Sequence, residues 1–140
     1  MTKELKDLEK QFILNENMEH ENLQTLISRA LKFAKIDKNG HVVIAGRWSI
    51  ADKIMLTLTA RYLGNHLQLK LGAEPTILKE VATEDLSKML GEKQSVVSAR
   101  LKDLKDKKWA IAKDRGVFTV APYSIDDFLT KLEGGVTSAV

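Results

Sequence analysis

Seven side chains between residues 94 and 115 have the chemistry needed to contact a nucleic acid. They are amides, hydroxyls and cations: Gln94, Ser95, Ser98, Arg100, Lys102, Lys113 and Arg115. Glutamine and serine can hydrogen-bond to base edges and phosphate oxygens, and lysine and arginine neutralise phosphate charge. The alternative interpretation is a solvated helix surface without a ligand, because Lys and Asp alternate in LKDLKDKK at the spacings of helix ion pairs. The elements that carry these residues decide between the two.

The first five of these residues lie on a helix predicted from about residue 94 to residue 107. Val97, Leu101 and Leu104 recur at i, i+4 and i+7, which predicts a buried face. Successive steps of about 100° per residue place a second set on the opposite face: Ser95, Ala99, Lys102 and Asp106, flanked by Ser98 and Asp103.

The positions along this helix predict different contacts. Gln94 and Ser95, at the N-terminal end, are expected to face base edges or to meet phosphate through backbone N–H groups. Ser98 and Lys102 come next along the helix, and Arg100 on a flank either reaches phosphate or is solvated. Ala99 can touch a thymine methyl group but cannot hydrogen-bond, and Asp106 repels phosphate. We therefore expect modest sequence preference and a large share of backbone binding.

A short helix and a hairpin are predicted on either side of this helix. Thr83 is a candidate N-cap for a helix with Glu84 and Asp85 in its first turn, ending at Leu90-Gly91. After the longer helix, WAIAK and VFTVA alternate around Asp114-Arg115-Gly116, where glycine supplies the positive φ that tight hairpins need.

Helix, tight turn, helix and hairpin, preceded by a long helix, is the order of a winged helix-turn-helix. Residues 83–122 resemble the small winged-helix repressors of prokaryotes, whose supporting helix ends Leu-Gly and whose recognition helix reads roughly Val-Ser-x-x-Leu-x-x-Leu. Residues 90–91 and 97–104 match those patterns. The sequence departs from the family at Ser87, usually alanine, at Lys108, usually glycine, and at Trp109, usually a smaller aliphatic residue.

The resemblance implies a transcriptional regulator that binds double-stranded DNA as a homodimer. It places Lys113 and Arg115 on the wing, against the neighbouring phosphate backbone or minor groove. Winged helices also dock protein partners, so a docking module in a nucleic-acid-associated complex is the alternative. Salt dependence of DNA affinity separates the two.

The rest of the chain predicts supporting helices. Residues 2–15 and 20–36 carry apolar stripes at helical spacing. A turn at Asn39-Gly40 precedes a β-prone run at residues 41–46. Ser49 is a candidate N-cap for a long central helix to about Leu71, closed by Gly72, and residues 76–82 are ambiguous.

These predictions define an α+β fold, mainly helical with a small β wing and extra N-terminal helices. Three segments follow: a helical extension over 1–48 that is a candidate dimerisation region, a winged helix-turn-helix over 49–122, and a C-terminal helix over 123–140 that frays at GGVTSAV. The two apolar N-terminal stripes exceed what the small module needs, which favours a homodimer.

Composition and charge limit the class of protein. Net charge is −3 over residues 1–21, +5 over 22–82, +3 over 83–115 and −2 over 116–140, so the middle of the chain is basic and suited to phosphate. The absence of cysteine and of an 18-residue apolar run predicts a cytoplasmic protein with no membrane partner.

Catalytic and cofactor motifs are missing from the sequence. It has no cysteine nucleophile, glycine-rich phosphate loop, glycine-flanked serine elbow or obvious carboxylate pair, so we predict neither an enzyme nor a cofactor. His20, His41 and His66 lack metal-ligand spacing, and His66 is expected to be partly exposed. Trp48 and Trp109 are expected to be core or interface aromatics.

Overall fold

The computed structural model describes residues 4–5 and 20–138. Helices and two small antiparallel sheets alternate along this part of the chain, which confirms the α+β class. The elements are α1 (His20–Ala30), β1 (Ala34–Ile36), β2 (Val42–Ile44), α2 (Ile50–Lys70), β3 (Val81–Ala82), α3 (Thr83–Leu90), α4 (Gln94–Asp106), β4 (Ala110–Asp114), β5 (Val117–Val120), a 3-10 turn (Pro122–Ser124) and α5 (Ile125–Ser138).

The long helix α2 is the centre of the fold, as predicted. Ser49 is its N-cap, with the hydroxyl oxygen accepting from the backbone N–H of Asp52 at 3.1 Å, and Gly72 follows it at φ +77°. Residues 54–60 are buried without interruption. A helix buried on successive residues is covered on all sides, and here α1, the β1–β2 hairpin, α3, α4 and β5 all pack on it.

The helix predicted over residues 20–36 is wrong in its second half. It ends at Ala30, and Ala34–Ile36 forms a strand that pairs with Val42–Ile44. Phe33, in the turn between α1 and β1, is buried and meets Trp48 edge-on at 5.7 Å, while Leu31 is 55% exposed. Ala34 is in phase with the helical stripe, so the local pattern could not reveal a pairing that closes through the Asn39-Gly40 turn.

The segment before α3 is tied to α2 by amide side chains. The Gln68 side chain accepts from the backbone N–H groups of Thr76 and Ile77, and the Asn65 amide donates to Ile77 O at 2.8 Å. Of the ambiguous residues 76–82, only Val81–Ala82 forms a strand, which pairs with β5.

Two predictions at helix ends are wrong. Thr83 is the first residue of α3 and its hydroxyl donates to Gly116 O at 3.1 Å, whereas Ala82 occupies the N-cap position without a side-chain bond. The tail expected to fray is helical as far as Ser138, because α5 continues through Gly134 and Gly135.

The residues of the predicted N-terminal extension that the structure describes share one apolar core with the rest. Leu23, Leu26 and Phe33 belong to the same buried cluster as Leu101 and Phe128. Arg29 of α1 hydrogen-bonds to Asp126 and Glu133 of α5, and this bond holds the pKa of Glu133 below its usual range. The predicted boundary at residue 48 therefore lies within a continuous packing unit.

Most of the helix predicted over residues 2–15 lies outside the described residues, though residues 4 and 5 are helical. In the part of the chain that is described, no helix is long and apolar enough to cross a membrane.

Candidate nucleic-acid interface

A tight turn joins α3 to α4 and sets their relative direction. Gly91 is left-handed at φ +65°, its N–H donates to Ser87 O, and the Glu92 N–H reaches the same carbonyl at 3.1 Å. The Ser87 hydroxyl donates to Glu92 O. Serine in place of the family's alanine thus adds a hydrogen bond across the turn.

Helix α4 has the two faces that the sequence predicts. Val97, Leu101 and Leu104 are 0%, 0% and 4% exposed, and α4 packs on α2 and α3 through them. The predicted contact residues of α4 are all exposed: Gln94, Ser95, Ser98, Arg100 and Lys102. Packing on the apolar side therefore leaves a polar surface accessible along the length of the helix; we call Gln94, Ser95, Ser98 and Lys102 its polar face.

The N-terminus of α4 is open to an anion. Its first turn contains no acidic residue, and Lys93 at the N-cap position makes no side-chain capping bond. By contrast, α3 begins with Glu84 and Asp85, and α2 with the Ser49 cap and Asp52. Helix N-termini attract negative charge through the aligned peptide dipoles. Lys93 is exposed beside this end and was missed by the sequence analysis, although its place directly before the helix was a usable signal.

Arg100 is engaged at the flank of α4. Its Nε lies 3.1 Å from Asp103 Oδ2, one turn further on, and both side chains are exposed. A surface pair of this kind contributes about 0–1 kcal/mol, so the guanidinium can exchange Asp103 for a phosphate at little cost. Arg100 is thus exposed and paired within the helix, and its contact with phosphate stays a prediction.

The β4–β5 hairpin presents the other two predicted cations. Its strands pair from Ala110↔Val120 to Asp114↔Val117, with a shift of register between Ala112 and Asp114 where Lys113 lies. Arg115 and Gly116 form the turn, with Gly116 at φ +72°. Lys113 and Arg115 are both exposed. The hairpin and turn residues match the sequence prediction.

A left-handed lysine connects α4 to the hairpin. Lys108 has φ +65°, its N–H donates to Lys105 O, and the Trp109 N–H donates to Leu104 O at 2.9 Å. This is the hydrogen-bond pattern of a Schellman cap, in which glycine is the usual residue. The position where the family has glycine therefore keeps the glycine conformation.

Trp109 anchors the base of the hairpin. Its ring meets Phe128 of α5 edge-on at 6.1 Å, and Lys107 Nζ lies 5.7 Å from the ring centroid. Trp48 packs on Phe33 in the same way, so both tryptophans are packing aromatics, as predicted.

Charge accumulates over α4 and the hairpin. Residues 93–115 carry eight cations and three carboxylates, a net charge of +5, and every one of these charged side chains is exposed. Such a density of exposed positive charge attracts polyanions and steers their approach. Asp103 and Asp106 reduce the potential on the C-terminal half of α4.

The side chains of His41 and His66 contact other residues of the fold. His66 is 7% exposed and stacks on Tyr62 at 4.3 Å, so the expectation of partial exposure was wrong. His41 contacts Asp37 in the β1–β2 turn. Among the described residues, no group of three or more His, Asp or Glu side chains could hold a metal ion.

No family model matches the chain, and no curated protein or solved structure is detectably similar to it. The functional proposal therefore rests on this chain's own residues.

Proposed function

We propose that this protein is a winged-helix DNA-binding protein that acts as a transcriptional regulator and binds duplex DNA as a dimer. The observation that carries the proposal is the exposed surface of α4 and the β4–β5 hairpin, with its net charge of +5 over residues 93–115. In this proposal α4 is the recognition helix and the hairpin is the wing.

The order and pairing of the elements support this assignment. Helix α3, a three-residue turn and α4 are followed by a hairpin whose inner strand β5 also pairs with β3. A helix-turn-helix places its second helix in the major groove while the first crosses the backbone. The buried face of α4 packs on α2 and α3, so the polar face is left available for the groove.

The kinds of side chain on α4 favour backbone binding over base readout. Gln94 and Ser98 can hydrogen-bond to base edges, but Ala99 offers only a methyl group and Asp106 repels phosphate. Lys93, Lys102, Lys113 and Arg115 are four exposed cations, which in this proposal neutralise phosphate. We expect strong salt dependence with modest discrimination between sequences.

A test separates two classes of variant. Lys113→Ala and Arg115→Ala should each weaken binding by the same factor on preferred and scrambled duplexes, and each should reduce the salt slope by about one unit. Gln94→Ala and Ser98→Ala should reduce discrimination instead, by about 1–3 kcal/mol where a base contact is lost. Fluorescence anisotropy on both duplexes at several salt concentrations measures both quantities.

The matched control for this test is Lys38→Ala. Lys38 is an exposed lysine of the β1–β2 turn and belongs to neither α4 nor the second hairpin. It should change neither the affinity nor the salt slope. If Lys38→Ala weakens binding as much as Lys113→Ala, binding depends on overall charge and the proposed interface is wrong. If the parent binds no duplex at low salt, the protein-docking alternative replaces the proposal.

A further inference from the structure

An apolar groove lies between α1, β1 and α2, the elements that precede the basic helix α4 and the β4–β5 hairpin in the sequence. It encloses about 280 Å³ and is lined by Ile27 of α1, Leu31 in the turn after α1, Ala34 and Lys35 of β1, and Leu63 and Leu67 of α2. Leu31 is 55% exposed and Leu67 is 39% exposed. Large apolar side chains grouped around a concave surface mark an interaction site.

The chain itself contains a segment that matches such a groove. Residues 2–15 carry Leu5, Leu8, Phe12 and Ile13 at helical spacing, and residues 4 and 5 are helical. Leu5 is 63% exposed. An amphipathic helix that lays its apolar face into a groove is a recurring mode of recognition.

Charge is also complementary between segment and groove. At about 100° per residue, Glu9 falls within the apolar stripe, between Leu5 and Ile13. Among the described residues that line the groove, Lys35 is the charged one, and its side chain is exposed. One carboxylate within an apolar stripe and one amine within an apolar groove would neutralise each other on docking.

We propose that the groove binds residues 2–15 of a second copy of this chain, and that two such contacts, made reciprocally, form the homodimer. A reciprocal contact closes with two-fold symmetry and buries both stripes and both grooves. The inference rests on the dimer of the proposed function, but uses none of the residues assigned to DNA. The DNA-binding assay and the test below can therefore fail independently.

The cysteine-free sequence permits a direct test by disulfide trapping. Leu8→Cys and Leu67→Cys are made in separate, differently tagged chains, mixed, and oxidised. The proposal predicts a disulfide-linked heterodimer on a non-reducing gel, because the two Cα atoms must come within about 7 Å. With one cysteine per chain, no link within a chain can form. Tyr123→Cys, at an exposed position outside the groove, is the matched replacement for Leu67→Cys and should give no link above background.

Sedimentation of the parent at micromolar concentration separates the remaining outcomes. A dimer without the Leu8–Leu67 link overturns the groove contact while leaving the dimer in place. If a disulfide forms only within single chains that carry both Leu8→Cys and Leu67→Cys, and these chains are monomers, the proposal that a second copy occupies the groove is overturned. If the parent is a monomer and no disulfide forms, both the groove contact and the dimer are overturned.

A charge exchange tests the register of the contact. Glu9→Lys and Lys35→Glu should each raise the dissociation constant of the dimer by about two- to fivefold, and the double variant should recover most of that loss. Lys38→Glu makes the same change of charge on an exposed turn and should have no effect. If the dimer of the double variant dissociates as readily as that of either single variant, the pairing of Glu9 with Lys35 is wrong.

Discussion

The β1–β2 and β4–β5 hairpins have turns of similar composition and use them differently. In the first, the Asp37 carboxylate accepts the backbone N–H groups of Asn39 at 2.8 Å and His41 at 3.0 Å, and contacts His41 Nδ1 at 3.2 Å. Gly40 lies directly against Arg61, whose Nη1 donates to Leu78 O at 3.1 Å. Burial lowers the pKa of Arg61, which marks this contact as part of the packed structure.

The second turn faces open space. Asp114 Oδ1 accepts the Arg115 N–H at 2.7 Å, and no atom lies within 4 Å of the position that a Cβ of Gly116 would take. The Gly116 carbonyl is held by the N–H of Thr83, so the base of the turn is fixed while its outer surface is exposed. Lys113 and Arg115 extend from this fixed base.

The difference shows why similar turn sequences do not imply similar roles. In the first hairpin the Asp37 carboxylate binds groups of its own turn, and Gly40 packs against Arg61 of α2. In the second, the backbone is held and the side chains of Lys113 and Arg115 are exposed. An exposed cation on a rigid support can bind an anion without a large cost of ordering.

The largest effect should come from Gly40→Ala. Alanine at φ +88° is strained by about 1–2 kcal/mol, and its Cβ would lie 2.8 Å from Arg61 Cζ. The Arg61 guanidinium must then shift away from the turn, so we expect a total loss of about 2–3 kcal/mol in the free energy of unfolding. Urea denaturation measures it. A loss no larger than that of Gly116→Ala would show that the first turn is not anchored.

Gly116→Ala provides the matched comparison. The glycine has nearly the same conformation, at φ +72°, but a new Cβ meets nothing. Only backbone strain remains, so the free energy of unfolding should fall by about 1–2 kcal/mol, and by less for Gly116→Asn, since asparagine tolerates this conformation. A loss above that of Gly40→Ala in the same denaturation experiment would contradict the comparison.

The smallest effect should be the pH dependence of Asp37. The His41 N–H, with further bonds from Asn39 and the His41 side chain, lowers the pKa of Asp37 from its ordinary value of 3.8. The resulting stability is present above that ordinary value and is lost as the pH falls through the lower pKa of the folded state. The difference in Tm between the parent and Asp37→Ala should therefore be greatest near neutral pH and shrink in acid. A Tm difference between the parent and Asp37→Ala that increases as the pH falls would contradict this prediction.

The sequence was sufficient for residues 83–120 because their signals are local. The stripe of Val97, Leu101 and Leu104, the glycines at 91 and 116, and the alternation of the hairpin each specify structure within a few residues. Lys108 is instructive, since the family pattern expected glycine there and the left-handed conformation is retained with a lysine.

Elsewhere the deciding contacts are distant in sequence. Ala34 continued a helical stripe, but pairing with Ile44 made it a strand residue. His66 looked like a surface residue because α2 shows no single apolar face, and only the elements packed around it bury it. Within residues 83–120, the local pairing of Arg100 with Asp103 was also not specified, because it depends on rotamers that spacing alone does not fix.

The most direct test of the central claim is the affinity of the parent protein for random duplex DNA as a function of salt. Four exposed cations on each copy, Lys93, Lys102, Lys113 and Arg115, predict a slope of log K against log salt of about −3 to −4 for one copy and about −7 for a dimer. Fluorescence anisotropy between 50 and 200 mM salt spans roughly the range in which such slopes are measured. Measurable binding that weakens with this slope supports a DNA-binding surface on α4 and the second hairpin. No binding at the lowest salt, or binding that is independent of salt, would contradict it.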